Sequence, residues 1–152
     1  AALVDDLPLF SAARRAETVE APEEDAVATL LDAPPGTACQ AVATLRGSDF
    51  VVLVTEPTPF GLHDLTLAVD TVRALDLRFG VVINRVGVGD DRVQRYCAAE
   101  DIPILLEIPD DRRVAEACSR GELIVDALPD YREHFARLWQ AIESHSAVEV
   151  TA

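Results

Sequence analysis

An aspartate at the end of an aliphatic segment is the first candidate for chemistry in this sequence. Asp32 follows the run AVATLL at 26–31 and opens a loop that contains two prolines and Gly36. A carboxylate in this position can hold a metal-bound water, and glycine lets a backbone N–H approach a phosphate oxygen that a Cβ would obstruct. The loop is therefore a candidate metal and phosphate site. An ordinary turn before a Pro-Pro-Gly segment is the alternative interpretation.

The second candidate is the pair Asn84-Arg85: Asn84 ends the aliphatic run FGVVIN at 79–84, and Arg85 follows it. The side-chain amide of asparagine offers both a donor and an acceptor, which match the N7 acceptor and the N6 amino donor of adenine. Arg85 could lie over a base ring or pair with a nearby carboxylate. The pair predicts a base-binding loop, although a turn-forming asparagine would give the same pattern.

Two further loops follow aliphatic runs. The run FVVLVT at 50–55 leads into the stiff segment EPTP at 56–59, which fits a switch, a dimer contact or an ordinary strand-to-helix turn. The run PILLEI at 103–108 leads into PDD at 109–111, which could cradle a base or begin a helix. Ligands of open α/β sheets bind beyond the carboxyl ends of the strands, so all four loops belong to one candidate edge.

These loops must be positioned by strands and helices in alternation. Each aliphatic run is continuously apolar, as strands covered on both faces are, and this favours a parallel sheet. Apolar residues between the runs recur at helical spacing, with aspartates placed to cap the helices. The sequence predicts an α/β fold, a three-layer and mostly parallel sheet with helices on both faces. The predicted helices carry Leu62, Leu65, Val69 and Val72; Val93 and Cys97 after Asp90; Val114, Ala115 and Cys118 after Asp111; and Phe135, Leu138, Trp139 and Ile142 after a cap-like Asp130 and Glu133.

Composition narrows the class of protein. Of 152 residues, 49% are hydrophobic, which is enough for one aliphatic core, and the net charge of −14 argues against a nucleic-acid partner. No apolar run has the length of a membrane span, and the three cysteines form no CxxC pair. We expect a cytoplasmic protein with buried thiols and no metal cluster of its own. Residues 1–25 are predicted to be an acidic linker or loosely packed arm, 26–145 the domain, and 146–152 a flexible tail.

Together the loops resemble the C-terminal half of the MinD superfamily of P-loop ATPases, especially the subgroup with an inserted ferredoxin domain. The resemblance covers about residues 26–142 and is carried by the segments DAPPGT, VTEPTPFGLHDL and INR in this order. It implies a dimeric ATPase with ATP and Mg²⁺ as cofactors. The residues it implies are Asp32 for a Mg²⁺-bound water, Gly36 and Thr37 in the catalytic switch that senses the γ-phosphate, Asn84 as adenine reader, Pro109 and Asp110 beside the base, and Arg85 and Glu56 by position only.

The sequence departs from this family at three points. The K-G-G-x-G-K-[ST] phosphate loop is absent and the chain has no lysine, the cysteine ladder of the ferredoxin insert is absent, and Gln40 stands where the family has proline. We therefore expect an incomplete P-loop NTPase-like fold that lacks the N-terminal P-loop unit and does not hydrolyse ATP alone. The missing half, in cis or in trans, would supply the P-loop and any iron–sulfur clusters. A homodimer and redox or iron–sulfur proteins are the expected partners.

Two other functions fit parts of the sequence. A non-enzymatic, truncated interaction module would keep the same fold and bind a partner through the acidic arm and the helix face at 61–76. Its binding would depend on neither metal nor nucleotide. A response-regulator-like domain would need a lysine near its acidic residues, and the absence of lysine argues against it.

Overall fold

The computed structural model describes residues 28–33 and 39–146, without the side chains of Cys39 and Gln40. The chain divides into two compact units, Ala1–Gly47 and Ser48–Ala152. Each unit is described by itself.

In the first unit, helix α1 spans Cys39–Leu45 and Thr29 forms an isolated bridge. The predicted strand at 26–31 is thus not formed in its described part, residues 28–31, which is a correction to the sequence pattern. An aliphatic run lacks a strand there because a strand requires a continuous ladder of backbone partners, and apolar side chains alone do not supply one. The predicted arm at 1–25 and most of the predicted tail lie outside the described residues.

Three parallel strands form the sheet of the second unit: β1 (Val51–Thr55), β2 (Phe79–Val86) and β3 (Ile104–Pro109). They lie in the order β1-β2-β3, with β2 paired to both neighbours. Each strand coincides with a predicted aliphatic run, and the predicted parallel α/β fold is confirmed. The pairing of β2 with β3 is irregular between Val81 and Val82 and again between Ile83 and Val86.

Helices connect and flank these strands. Since parallel neighbours cannot be joined by a tight turn, α2 and α3 form the crossovers from β1 to β2 and from β2 to β3. The helices of the second unit are α2 (Pro59–Ala74), α3 (Arg92–Ala99), α4 (Arg112–Ser119), α5 (Ile124–Ala127) and α6 (Pro129–Ser146).

Helix α2 begins where its sequence favours a helix start. The Thr58 hydroxyl accepts a hydrogen bond from the backbone N–H of Gly61 at 3.0 Å, and Pro59 stands in the first turn. The predicted apolar stripe is confirmed, because Leu65, Val69 and Val72 are buried. This anchored start fixes the loop that leaves β1.

One core lies between the sheet and the helices α2 and α3. Burying this aliphatic surface is the main stabilising contribution of the unit. Val82 points away from this core, since neighbouring residues of a strand face opposite sides, and it is only 3% exposed, so both faces of β2 are covered. Helix α6 contacts β3. The buried core residues are Leu65, Val69, Val81, Ile83, Val93, Cys97 and Ile102.

Two of the three aspartates predicted to cap helices, Asp90 and Asp130, do not take the capping position. Helix α3 starts one residue after Asp91, which makes no side-chain cap bond, and the carboxylate of Asp90 instead accepts from Arg92 N–H at 3.0 Å. Asp111 caps α4 as predicted, accepting from Arg113 N–H at 2.8 Å. Helix α6 already begins at Pro129, so Asp130 lies inside its first turn and is not the cap.

Burial on the last helices also differs from the predicted stripes. In α4 the buried residue is Ala117, whereas Cys118 is exposed, so the prediction of buried thiols holds for Cys97 and is wrong for Cys118. In α6, Phe135 is buried together with Tyr131, one turn earlier. Leu138, Trp139 and Ile142 are only partly buried. Within the described residues, no helix has the length and hydropathy needed to cross a membrane.

Candidate functional site

The carboxyl ends of β1, β2 and β3 meet at one edge of the sheet because the strands are parallel neighbours. Residues that leave these ends form a group that we term the strand-end cluster. Its members are Glu56 after β1, Asn84 and Arg85 near the carboxyl end of β2, and Pro109 and Asp110 at the end of β3. The four predicted base-binding residues therefore share one edge of the sheet, and Glu56 joins them.

Arg85 connects the loops of this cluster. Its Nε donates to Oδ1 of Asp110 at 3.0 Å, and its Nη1 lies 3.5 Å from Oε1 of Glu56. The hydrogen bond to Asp110 and the negative charge of Glu56 raise the pKa of Arg85. All three side chains are about half exposed, so solvent screens the attraction and the pairs orient the loops more than they stabilise the fold. Pairing with carboxylates is thus the role this arginine takes in the structure.

The backbone of Arg85 is unusual for a residue with a side chain. Its φ is 59°, in the left-handed region, and it lies in the stretch where the pairing of β2 with β3 is irregular. A Cβ makes this conformation unfavourable, and asparagine, aspartate or glycine are the residues that usually adopt it. The left-handed residue interrupts the regular backbone pairing between β2 and β3. The pairing resumes at Val86, whose carbonyl oxygen accepts a hydrogen bond from the Asp110 N–H at 3.0 Å.

Asn84 has a defined side-chain orientation. Its Oδ1 accepts a hydrogen bond from the backbone N–H of Arg85 at 3.0 Å, and the residue is partly buried. This bond differs from the sequence-based picture, in which donor and acceptor of the amide both face a base. With one acceptor site of Oδ1 taken by the backbone, the amide still offers its two Nδ2 hydrogens as donors.

The loops after β1 and β2 touch closely. Pro57 is fully buried, and the Thr55 hydroxyl donates to Gly61 O at 2.9 Å. A Cβ on Gly61 would collide with the carbonyl oxygen of Glu56, and a Cβ on Gly89 would collide with that of Pro57. The two glycines are therefore required by close approach of backbone, so the stiff segment 56–59 is held from both sides.

The loop after β3 is anchored from α6. The Tyr131 hydroxyl donates to Oδ2 of Asp111 at 3.2 Å, and the Arg113 guanidinium bonds both Asp111 and Asp130. The bonds from Arg113 hold the pKa of Asp111 at about 2, below its ordinary 3.8. Burial and the nearby Asp111 charge raise the pKa of Tyr131 to about 12. Asp110 is thus flanked by a residue fixed in its ionised form.

Sequence reasoning missed three of these contributors. It gave Glu56 a position without a role, although a carboxylate just after a strand end can reach a cation on the next strand. It did not single out Gly89, whose contact depends on tertiary structure. Tyr131 lies four residues before Phe135, and this helical spacing could have extended the predicted stripe to include it.

The predicted phosphate and metal loop belongs to the other unit. Asp32 is described and has an exposed side chain, and it lies in the unit Ala1–Gly47. Gly36 and Thr37 lie outside the described residues. Among residues 28–33 and 39–146, no group of three or more histidine, cysteine, aspartate or glutamate side chains could hold a metal ion.

Comparison with known proteins finds similar sequences in Methanocaldococcus jannaschii. No protein-family model matches it. It is 34% identical over 109 residues to an uncharacterized protein of Methanocaldococcus jannaschii, MJ0579, which is 70% of this chain and 37% of that protein. A second uncharacterized protein of that organism, MJ0578, is 21% identical over 114 residues, 75% of this chain and 39% of the relative. The chain thus spans well under half the length of these relatives.

Solved structures show the same fold. The cell division ATPase MinD of Pyrococcus furiosus superposes with a TM-score of 0.64 and 26% identity, covering 76% of this chain and 51% of that chain. The MinD cell division protein of Aquifex aeolicus gives 0.59 and 19%, covering 79% and 53%. The chain spans about half the length of each. Its parallel sheet and crossover helices therefore form a MinD-like fold, part of a P-loop NTPase-like domain.

Proposed function

We propose that this chain supplies the adenine-recognition and switch part of a MinD-like protein that binds and hydrolyses ATP. The observation that carries the proposal is the strand-end cluster, in which the Asn84 amide is bonded to the backbone of Arg85 and the Arg85 side chain is bonded to the carboxylate of Asp110, on the edge where open α/β sheets bind ligands. The likeness to a structure titled as a cell division ATPase supports it. Hydrolysis would be an activity of the complete protein.

The cluster fits an adenine base chemically. The Nδ2 group of Asn84 can donate to a ring nitrogen, and Asp110 keeps a second carboxylate oxygen that can accept from the 6-amino group. Pro109 is exposed at the end of β3 and offers an apolar ring for contact with the base. Guanine carries an oxygen at the same ring position, and it would meet the carboxylate with repulsion.

The phosphate side of the site requires residues that this chain lacks. No lysine is present to hold the β- and γ-phosphates, and the net charge of −14 opposes binding of a polyanion by these residues alone. In our proposal Asp32 holds a water of the bound Mg²⁺, and Gly36 and Thr37 sense the γ-phosphate. The P-loop comes from another segment, in cis or in trans. The proposal includes a homodimer and a link to iron–sulfur or redox proteins through that missing part.

Base selectivity tests the function. In the protein joined to its P-loop half, Asn84→Ala should weaken ATP binding about tenfold, the free energy of a lost hydrogen bond to a base, or about 1.4 kcal/mol. The matched control is Gln140→Ala, which removes an exposed amide from α6. Competition between a fluorescent ATP analogue and unlabelled ATP or GTP measures both. Equal ATP affinity in Asn84→Ala and the wild type would contradict the proposal.

A non-enzymatic interaction module is a second candidate, and one observation favours it. Phe60 is 84% exposed and Leu67 is 46% exposed on α2, the helix that would form the binding face. That function requires a partner whose affinity does not depend on nucleotide or Mg²⁺. Phe60→Ser should abolish its binding. If ATP and Mg²⁺ change the binding of the partner, the nucleotide-dependent function is favoured instead.

A further inference from the structure

The two outer strands of the described sheet differ in composition. Among the described residues, β1 and β3 each have a strand neighbour on one side only. The strand β3 contains Glu107 and Pro109, and charge and proline are features by which proteins protect a sheet edge from further pairing. The strand β1 has the sequence VVLVT and contains neither feature. Its composition is therefore that of a strand inside a sheet, although it lies at an edge of the described one.

The backbone of β1 directs hydrogen-bonding groups away from β2. The N–H of Val51 donates to Arg78 O at 2.9 Å, where the pairing of β1 with β2 begins. Because successive residues of a strand direct their N–H and C=O groups to opposite edges, those of Val52 and Val54 face the outer edge. A further strand laid along this edge would bond the outward groups of both residues.

One face of β1 is also less covered than its sequence predicts. Leu53 packs against the core between the sheet and the helices α2 and α3. Val54 is the next residue, so it points to the opposite face, where it is 64% exposed. Its register partner Val82 lies on that same face and is only 3% exposed. A continuous aliphatic run is typical of a strand covered on both faces, so Val54 lacks, among the described residues, the cover that its sequence predicts.

We propose that β1 is an interior strand of the complete domain and that its outer edge binds an aliphatic strand of the segment that supplies the P-loop. The inference rests on the proposed function in one respect, which is that this further segment exists. The length of the chain supports this occupant, because it covers only 51% and 53% of the two MinD structures that share its fold. About half of such a domain is thus left to the further segment, which also covers the face at Val54.

A second copy of this chain is a poorer occupant for the edge. A two-fold axis would pair β1 with its own copy in antiparallel order, so that the beginning of one strand lies beside the end of the other. Asp49 precedes β1 and Glu56 follows it, so the Asp49 carboxylate of each copy would approach the Glu56 carboxylate of the other. The net charge of −14 on each chain adds to this repulsion.

Hydrogen exchange of the Val52 and Val54 amides tests the edge directly. In the 152-residue chain alone both should exchange quickly, whereas the amides of Val51 and Leu53, which face β2, should be protected. Addition of the P-loop half without nucleotide should slow exchange at Val52 and Val54 at least about tenfold. Protection of both amides in the monomeric chain, protection that appears only when the chain self-associates, or no change on addition of the P-loop half would each overturn the proposal.

A proline at position 54 separates the outer edge from the pairing with β2. Val54→Pro removes an outward N–H and no bond to β2, so the melting temperature of the chain should change little. Its affinity for the P-loop half should fall about tenfold or more, because the loss of the donor leaves a buried acceptor without a partner. The control is Leu123→Ala, which removes a 40% exposed apolar side chain at the start of α5 and should leave that affinity unchanged.

Equal affinity of Val54→Pro and the wild type for the P-loop half would overturn the proposal. If Val54→Pro does not fold, hydrogen exchange in the wild-type chain decides the question. Because neither measurement uses ATP, the two proposals can fail separately. Protected Val52 and Val54 amides in an assembled protein that does not bind ATP would refute the proposed function alone, whereas ATP binding with both amides unprotected would refute the docking of a strand on β1.

Discussion

The contact between Gly89 and the Pro57 turn gives a sharp stability prediction for Gly89→Ala. A Cβ added at Gly89 would lie 2.7 Å from the carbonyl carbon of Pro57 and still closer to its oxygen, whereas ordinary contact begins at 3.4 Å. The loop would have to move by more than the roughly 0.7 Å that the carbon alone requires, because the oxygen is nearer still, and the buried proline cannot yield as a flexible side chain would. Overpacking of this kind costs about 1–3 kcal/mol.

Thermal unfolding followed by circular dichroism measures this cost. For a unit of roughly 100 residues, 1 kcal/mol lowers the melting temperature by about 4–8 °C, so a cost of about 1–3 kcal/mol should make Gly89→Ala melt about 4–24 °C below the wild type. Val88→Ala is the matched control in the same loop, because Val88 is 47% exposed, and it should change stability by less than about 0.5 kcal/mol. Pro57→Ala should not rescue the variant, since the collision is with backbone atoms. A Gly89→Ala protein that melts with the wild type would refute the reasoning.

Four further predictions concern helix α2 and the contact between Tyr131 and Asp111. Thr58→Ala removes the cap of α2 and should cost about 1 kcal/mol in urea unfolding. Thr66→Ala, in the same helix, should be near neutral or stabilising because its hydroxyl bonds back to the carbonyl oxygens of Leu62 and His63 within the helix. Val69→Ala should cost about 2 kcal/mol, and Leu67→Ala, on the exposed side of α2, much less; equal losses would contradict the burial pattern. The pKa of Asp111 is lowered to about 2 from 3.8, so its contribution is present above about pH 4 and is lost as the pH falls towards 2. Tyr131→Phe should therefore raise the midpoint of acid unfolding, and an unchanged midpoint would argue against the Tyr131–Asp111 bond. At the alkaline end, the raised pKa of Tyr131 makes stability fall as the pH rises from 10 to 12.

Much of the second unit could be predicted from the sequence because its signals are local. Continuous aliphatic runs mark strands that are covered on both faces, and β1, β2 and β3 form where such runs stand. The helical spacing of Leu65, Val69 and Val72 likewise predicts the buried stripe of α2, because that spacing is also a local property of the sequence. Parallel order then brings the strand-end residues to one edge without further information.

What could not be predicted depends on tertiary contacts. The run at 26–31 is as aliphatic as the others, yet its described part forms no strand, since strand formation needs a partner that the run itself does not encode. The exposure of Cys118 depends on how α4 is rotated against the rest of the unit. The left-handed Arg85 and its contact with Glu56 join residues far apart in the sequence, so spacing alone does not reveal them.

The affinity of the 152-residue chain for ATP and Mg²⁺, measured alone and after addition of its P-loop half, tests the central claim most directly. A fluorescent ATP analogue should show no saturable binding to the chain alone, because no lysine is present to hold the phosphates. Micromolar binding should appear with the P-loop half present and should weaken in Asp32→Ala and Asn84→Ala. Micromolar binding by the chain alone, or none when the two halves are joined, would contradict the account.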